Sequence, residues 1–276
     1  MIVPAARDAA FVAQVQRAIE DRDVLTIWWL GQSGFLVHYD GVCIALDPYL
    51  SDSLTEKYAQ TTKPHVRLSE RVVDPLLLDM VSLVTSSHNH TDHLDQQTYT
   101  ALATANPAVR LACSAANVAF AAERMGLAPS ALMALTEDVP LVHGPFVLHV
   151  VPAAHNEVTR DAAGNLAAIG LVIEVAGKVL YHSGDTLRYD GMAERLRRWR
   201  CDVALLPING NDPARGVAGN LSAAEAAELG RDIDAHVVVP CHYDMFAFNT
   251  ADPLEFVRAA GSRGHVMRLG ESLTVR

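Results

Sequence analysis

The sequence predicts an α+β fold in which two β-sheets pack face to face and helices cover the outer surfaces. Three observations carry this reading. Short β-like runs cluster early in each half of the chain, helices alternate with strands later in each half, and no Gly/Pro/Ser-rich linker separates the halves. A single parallel sheet would require the alternation throughout. The chain reads as one domain over residues 1–276, long enough for a substantial buried core.

The elements follow in order. MIVPAARDAAFVAQVQRAIEDRD interrupts its apolar positions with Arg7, Asp8, Arg17 and Glu20, which suits an amphipathic helix and not a signal peptide. LTIWWL (25–30), GFLVHYD (34–40) and VCIALD (42–47) read as strands, with Asp40-Gly41 as a tight hairpin turn. Residues 47–75 form a long polar connection, a length typical of functional lids or walls. VSLVTSS (81–87) is a strand, DQQTYTALATA (95–105) a helix, AVRLAC (108–113) a strand, and 114–126 a helix closed by Gly126. In the second half, 145–153, 167–177 and 178–185 are strands, 189–200 is a helix and 202–208 a strand. The helix at 221–233 opens with Ser222 and Glu225 at capping-box spacing. A strand at 235–240, a helix at 252–264 and a β-like end complete the pattern.

The net charge is −10 with no block of basic residues, which argues against a nucleic-acid partner because phosphate contacts need clustered Lys and Arg. A small anionic substrate remains compatible, since a local cation and a metal together could hold it. No apolar run approaches the roughly 18–20 residues that cross a bilayer, and a cytoplasmic location is the default expectation. The four cysteines (Cys43, Cys113, Cys201, Cys241) form no CxxC pair and read as buried free thiols of a reducing compartment. A closed homo-oligomer is the base-rate expectation.

SSHNHTDHLD (86–95), straight after the apolar run MVSLV, concentrates three histidines and two aspartates. Neutral imidazole and carboxylate suit a borderline divalent cation, and loops at strand ends can aim several at one point. His88 and His90 are two apart and point the same way in extended backbone, while Asp92 and His93 follow as the chain turns into the next helix. One metal needs about four ligands, so this segment cannot close two sites alone. Beyond other β-like runs lie His155 after LHVVPAA, Asp185 after VLYHSG and His242 after HVVVPC. Alone, His155 would read as a hydrogen-bonded strand-end residue. Its coincidence with the others, after HxHxDH, favours a metal site.

HNHTDH matches the HxHxDH signature of the metallo-β-lactamase superfamily, and SGDT around Asp185 and PCHYDMF around His242 resemble its later ligand motifs. The likeness spans nearly the whole chain. IWWLGQSGF, YHSGDT, DVALLPINGNDPARG and the run from LSAAEAAELG to ADP further resemble the cytoplasmic sugar-phosphate lactonases typified by ascorbate-6-phosphate lactonase. The resemblance implies an αββα sandwich with the metal site at one edge of the two sheets. It also implies that His88, His90 and His155 form one site, that Asp92, His93 and His242 form the other, and that Asp185 bridges them. Those lactonases are longer and do not clearly keep a histidine where His155 falls, so its presence favours a fuller two-metal set and weakens transfer of the exact substrate. One or two divalent ions are expected, zinc or manganese first, with iron also compatible.

Two ions about 3.5–4 Å apart can lower the pKa of a shared water. A metal-activated hydroxide would then attack the carbonyl of a sugar-phosphate lactone or a related small anionic molecule. Asp92 and His182 are the catalytic candidates, Asp92 to handle protons and His182, three before Asp185, to stand behind the ligands or face away from them. GxSxG is absent and no serine or cysteine nucleophile is needed. Asn209, Asn211 and Arg215 in NGNDPARGVAGN, with Tyr243 after His242, are the substrate-binding candidates, Arg215 for a phosphate or carboxylate. Against that, the loop also suits a Gly/Asn-rich turn. Asp47 in ALDP either orients a ligand histidine or caps a turn before Pro48, and Gln32, Ser33 and Asp244 are equally open. The alternative function within hydrolases is a small-molecule phosphodiesterase. Outside them stand an iron-dependent redox protein on the same scaffold and a non-catalytic metal sensor.

Overall fold

Helix α1 (Asp8–Glu20) buries Phe11 and Val15, one turn apart, with the Phe11 ring edge-on to Trp28 at 6.4 Å. Trp28 belongs to β1 (Leu25–Gly31), a strand buried at every position, on which β2 (Gly34–Tyr39) and β3 (Val42–Leu46) fold back as an antiparallel meander. Asp40 and Gly41 take φ of +48° and +77°, the primed turn geometry whose twist matches paired strands. The computed structural model describes residues 1–276.

Helix α2 (Ser53–Tyr58) lies in the long polar connection. From β3 onward the pairing is parallel, through β4 (Val81–Ser86), β5 (Arg110–Ser114) and β6 (Met133–Leu135). Parallel neighbours require crossovers, and α3 (Gln96–Ala105) and α4 (Val118–Met125) supply them. Asp95 caps α3 by accepting from Thr98 N, and Gly126 ends α4 at φ +67°.

The second sheet begins as an antiparallel run of β7 (Leu141–His143), β8 (Phe146–Pro152), β9 (Ile169–Val175) and β10 (Lys178–His182). β11 (Val203–Pro207) and β12 (Val237–Cys241) then join in parallel across α5 (Met192–Arg197) and α6 (Ala223–Asp232). The capping box is formed, Ser222 with Glu225. Helix α7 (Pro253–Ala260) packs on α6, and β13 (Ser272–Val275) returns to the first sheet beside β1. Apolar side chains of both sheets, among them Ile27, Ile44, Leu83, Leu148, Leu171 and Leu205, belong to one continuous buried cluster. The architecture is the expected sandwich of two mixed sheets with helices.

Strand direction positions the site. β1, β3 and β4 run one way in their sheet, and β8, β10, β11 and β12 run one way in theirs. Their carboxyl ends meet where Ser87, after β4, abuts Gly184, after β10. Gly184 sits at φ +58°, and a Cβ there would lie 2.6 Å from Ser87 Cβ, so only glycine lets the two strand ends approach this closely.

Some elements differ from expectation. α2 lies where the sequence suggested only a loop, and β6 and β7 were not anticipated because three residues carry no readable period. α5 and α7 are shorter than 189–200 and 252–264. α5 starts only after Gly191 at φ +79°, and α7 stops at Gly261 at φ +58°. No helix is long and apolar enough to cross a membrane.

Candidate metal centre

The segment after β4 folds as a tight turn in which His93 N and Leu94 N both donate to His90 O. The turn swings Asp92 and His93 back beneath His88 and His90. His155 arrives after β8, Asp185 after β10 and His242 after β12. Three overlapping groups result: His88, His90 and His155; His88, His93 and Asp185; and Asp92, His93 and His242. In the first, His155 Nε2 and His90 Nδ1 are 3.0 Å apart and the three rings pack at 4.5–4.7 Å. In the others, Asp185 Oδ1 lies 3.3 Å from His93 Nε2 and Oδ2 lies 3.2 Å from His242 Nε2. Asp92 Oδ2 is 3.6 Å from both of those nitrogens.

These spacings test whether a cation fits. Bonds of about 2.0–2.1 Å to a tetrahedral centre place ligand atoms roughly 3.4 Å apart, longer than a good hydrogen bond. The Asp92, His93, Asp185 and His242 atoms fall at 3.2–3.6 Å. His88 Nε2 is buried without a hydrogen-bond partner, as a lone pair aimed at a cation would be. The Asp92, His93, Asp185 and His242 group fits a divalent ion by this measure, and the ring nitrogens of His88, His90 and His155 converge within 4.8 Å of one another beside it.

The groups behind the ligands fix their orientation. Asp47 is fully buried at φ +43° and accepts three hydrogen bonds: from Ser87 N at 2.9 Å, Ser87 Oγ at 2.5 Å and His93 Nδ1 at 2.6 Å. Ser87 Oγ in turn lies 3.1 Å from His88 Nδ1 and accepts its proton. One carboxylate thereby directs the Nε2 lone pairs of both His88 and His93 inward. Of the two sequence readings of Asp47, the structure supports the orienting one. Gln32, at φ +51°, donates from Nε2 to Asp92 Oδ2 at 2.8 Å, and the same nitrogen lies 3.1 Å from His242 Nε2.

The two halves differ electrostatically. Burial holds His88 well below its ordinary value, lowers His90, and brings His155 down to about 4, so these three present neutral imidazoles. In the other half, burial is outweighed by charge. Asp185 and Asp92 hold His93 well above the usual range and His242 at about 9, while those histidines hold both carboxyls well below theirs. A cation entering this half must displace the protons of His93 and His242, so proton and metal compete and affinity rises with pH. Uptake near pH 7 is expected to release up to two protons, and affinity is expected to fall by up to about 100-fold per pH unit on acidification. Competition titrations between about pH 6 and pH 8 check this, and an affinity independent of pH would contradict it.

A cavity of about 350 Å³ opens over the cluster, with Gln32, His90, Asp92, His155, Asp185 and His242 reaching it. The substrate-binding residues expected from sequence do not line it. The Asn209 side chain is buried and bonds Asn249 and Asn220, and Arg215 Nη1 donates to Asn209 O and Asn249 Oδ1. Asn211 packs against Gly219. Tyr243 turns to the far side, its ring 4.7 Å from Trp29 and its hydroxyl donating to Met267 O. His182, expected as catalytic, is also behind the site: it is buried and Nε2 donates to Ser33 O at 2.8 Å. It positions the Gln32–Ser33 turn without reaching the cavity. Asp92 is the expected catalytic residue that does reach it.

Sequence reading missed Tyr58, His65, Arg124, Phe246 and Phe248, all of which line the cavity. The aromatic residues of α2 and of DMFAF after His242 were the available signal. Cys241, beside His242, is buried with its Sγ 4.0 Å from Ser33 Oγ, and all four cysteines are free and buried as expected.

A family model described as the β-lactamase superfamily domain matches residues 44–243. A UPF0173 metal-dependent hydrolase of Methanopyrus kandleri is 30% identical over 245 residues, 87% of this chain and 93% of that protein. A probable L-ascorbate-6-phosphate lactonase of Escherichia coli is 24% identical over 265 residues, 83% of this chain and 72% of that protein. The crystal structure of an isothiocyanate hydrolase from Delia radicum gut bacteria shares the fold, with a TM-score of 0.71 at 18% identity over 90% of this chain and 98% of that one.

Proposed function

The chain belongs to the β-lactamase superfamily as a metal-dependent hydrolase, and from that premise we propose that it opens a lactone or related ester of a small anionic molecule. The observation that carries this reading is the floor of the cavity, where three overlapping ligand-spaced groups converge, Asp185 lies 3.3 Å from His93 and 3.2 Å from His242, and no serine or cysteine lines the wall. Divalent ions bound at such a floor supply a water of lowered pKa and polarise a carbonyl. The chain's own residues do the rest. Asp92 faces the cavity as an ionised carboxylate and can accept the proton lost by the attacking water. Gln32 Nε2 holds that carboxylate in place at 2.8 Å. Lys57 and Arg124, lining the same cavity, favour negative charge on the substrate. The similarity to the E. coli lactonase puts sugar-phosphate lactones in the first panel.

The test is hydrolysis of sugar-phosphate lactones, simple lactones and small phosphodiesters, with metal content determined on the same sample and His90→Ala as control. Lactone opening that depends on metal and falls by about 10²-fold or more in the variant is the expected result. Diester cleavage without lactone opening would replace this reading with a phosphodiesterase on the same metal centre.

A further inference from the structure

The wall of the cavity is aromatic where its floor is polar. Tyr49, Leu54, Met245 and Phe246 form a small buried cluster of their own, apart from the main core, and Tyr58 and Phe248 pack on it half-buried. His65 stacks on Tyr58 at 4.2 Å and 19°, and meets Phe246 and Phe248 edge-on at 5.1 and 4.6 Å. Phe246 and Phe248 lie nearly parallel at 6.3 Å. Tyr58, His65, Phe246 and Phe248 all line the cavity that contains Asp92 and Asp185. A planar apolar group against these rings would find the stacked and edge-to-face contacts that aromatic pairs prefer.

Cations are sparse by comparison. Arg124 Nη1 already donates to Asn89 O and Leu94 O, and its guanidinium covers the Phe120 ring. Arg215 is committed to its own loop. Lys57 is exposed, makes no ion pair, and lies over the Tyr58 ring at 5.2 Å. One exposed ammonium suits a single negative charge better than a phosphate, whose recognition favours bidentate guanidinium.

We propose that the substrate carries a planar apolar group, an aryl ring in the simplest case, which seats on Tyr58, His65 and Phe248 while its carbonyl faces the metal centre and a single charge reaches Lys57. This rests on the hydrolase reading above and narrows its substrate class from lactones and esters of small anionic molecules to those that bear an aryl group.

Calorimetric binding of phenylacetate and of 6-phosphogluconate to the metal-loaded protein tests it, in wild type, Phe248→Ala, Phe248→Leu and Lys57→Ala. Phenylacetate is expected to bind more tightly than 6-phosphogluconate. Its affinity should fall about tenfold in Phe248→Ala, less in Phe248→Leu, and several-fold in Lys57→Ala, with metal content unchanged throughout. Hydrolysis of a simple lactone by the same samples separates the two ideas. Protein that turns over lactone yet prefers 6-phosphogluconate, or binds phenylacetate equally in Phe248→Ala, overturns the aryl seat and leaves the hydrolase reading standing. Protein that is inert but binds phenylacetate through Phe248 upholds the seat and sinks that reading.

Discussion

Replacing Asp185 by asparagine is expected to abolish most of the activity and to strip metal from the protein while leaving the fold intact. Asp185 is 4% exposed, and its two oxygens lie 3.3 and 3.2 Å from His93 and His242. It also falls within ligand spacing of His88, which places it between the two halves of the cluster. Asparagine keeps the shape and removes the charge. Substitution of residues that merely orient ligands commonly weakens metal binding about 10–100-fold, so loss of a shared ligand should exceed about 100-fold. The rate should fall by about 10²–10³-fold or more, the range seen when one electrostatic stabiliser is removed. The metal-free variant should remain folded, because His93 and His242 can shed their protons once the carboxylate holding them charged is gone. Metal analysis, hydrolysis rate and near-UV circular dichroism on one preparation decide the matter. A variant that retains full metal would show that Asp185 is not a shared ligand.

The candidate metal cluster was legible in the sequence because its residues are either adjacent, as in HNHTDH, or lie within three positions of the end of a buried strand, as with His155, Asp185 and His242. A strand that must be apolar to be buried announces its own end, and the two sheets bring those ends to one edge. Facing is harder to read than position. Asn209, Asn211 and Arg215 occupy the right loop, but loop sequence does not say which way a side chain turns, and here they brace the loop from within. Tyr243 follows a ligand, yet His242 takes φ +59° to aim at the cluster and its neighbour is thrown onto Trp29. Alternation hides His182 in the same manner, behind the Gln32–Ser33 turn.

The aromatic wall was legible only as a long connection suited to a lid or wall, and its composition was hidden for a different reason. Tyr58 and His65 come from the long connection after β3, Phe246 and Phe248 from the loop after β12, and nothing local pairs them. Their meeting is a product of tertiary structure, whereas a cluster such as His88–His93 is largely built by one turn of chain.

Asp47 shows how far a single residue outside the ligand set can govern the centre. Its carboxylate ties the end of β3 to the end of β4 and sets the tautomers of His88 and His93 through Ser87 and directly. Asp47→Asn should weaken metal affinity about 10–100-fold, because an amide nitrogen facing the His93 Nδ1–H or the Ser87 donors cannot accept from them. Asp47→Ala removes every acceptor from a fully buried position and should destabilise the protein by about 3 kcal/mol, a Tm loss on the order of 6–10 °C. A purely structural role predicts that the asparagine variant loses Tm but binds Co²⁺ with an unaltered absorption spectrum. A positioning role predicts the reverse balance: a modest change in Tm, a shifted spectrum, and a metal requirement raised in proportion to the lost affinity. The structure favours the second outcome, since two of the three bonds to Asp47 lead, in one step or two, to an imidazole whose free nitrogen faces the cation site.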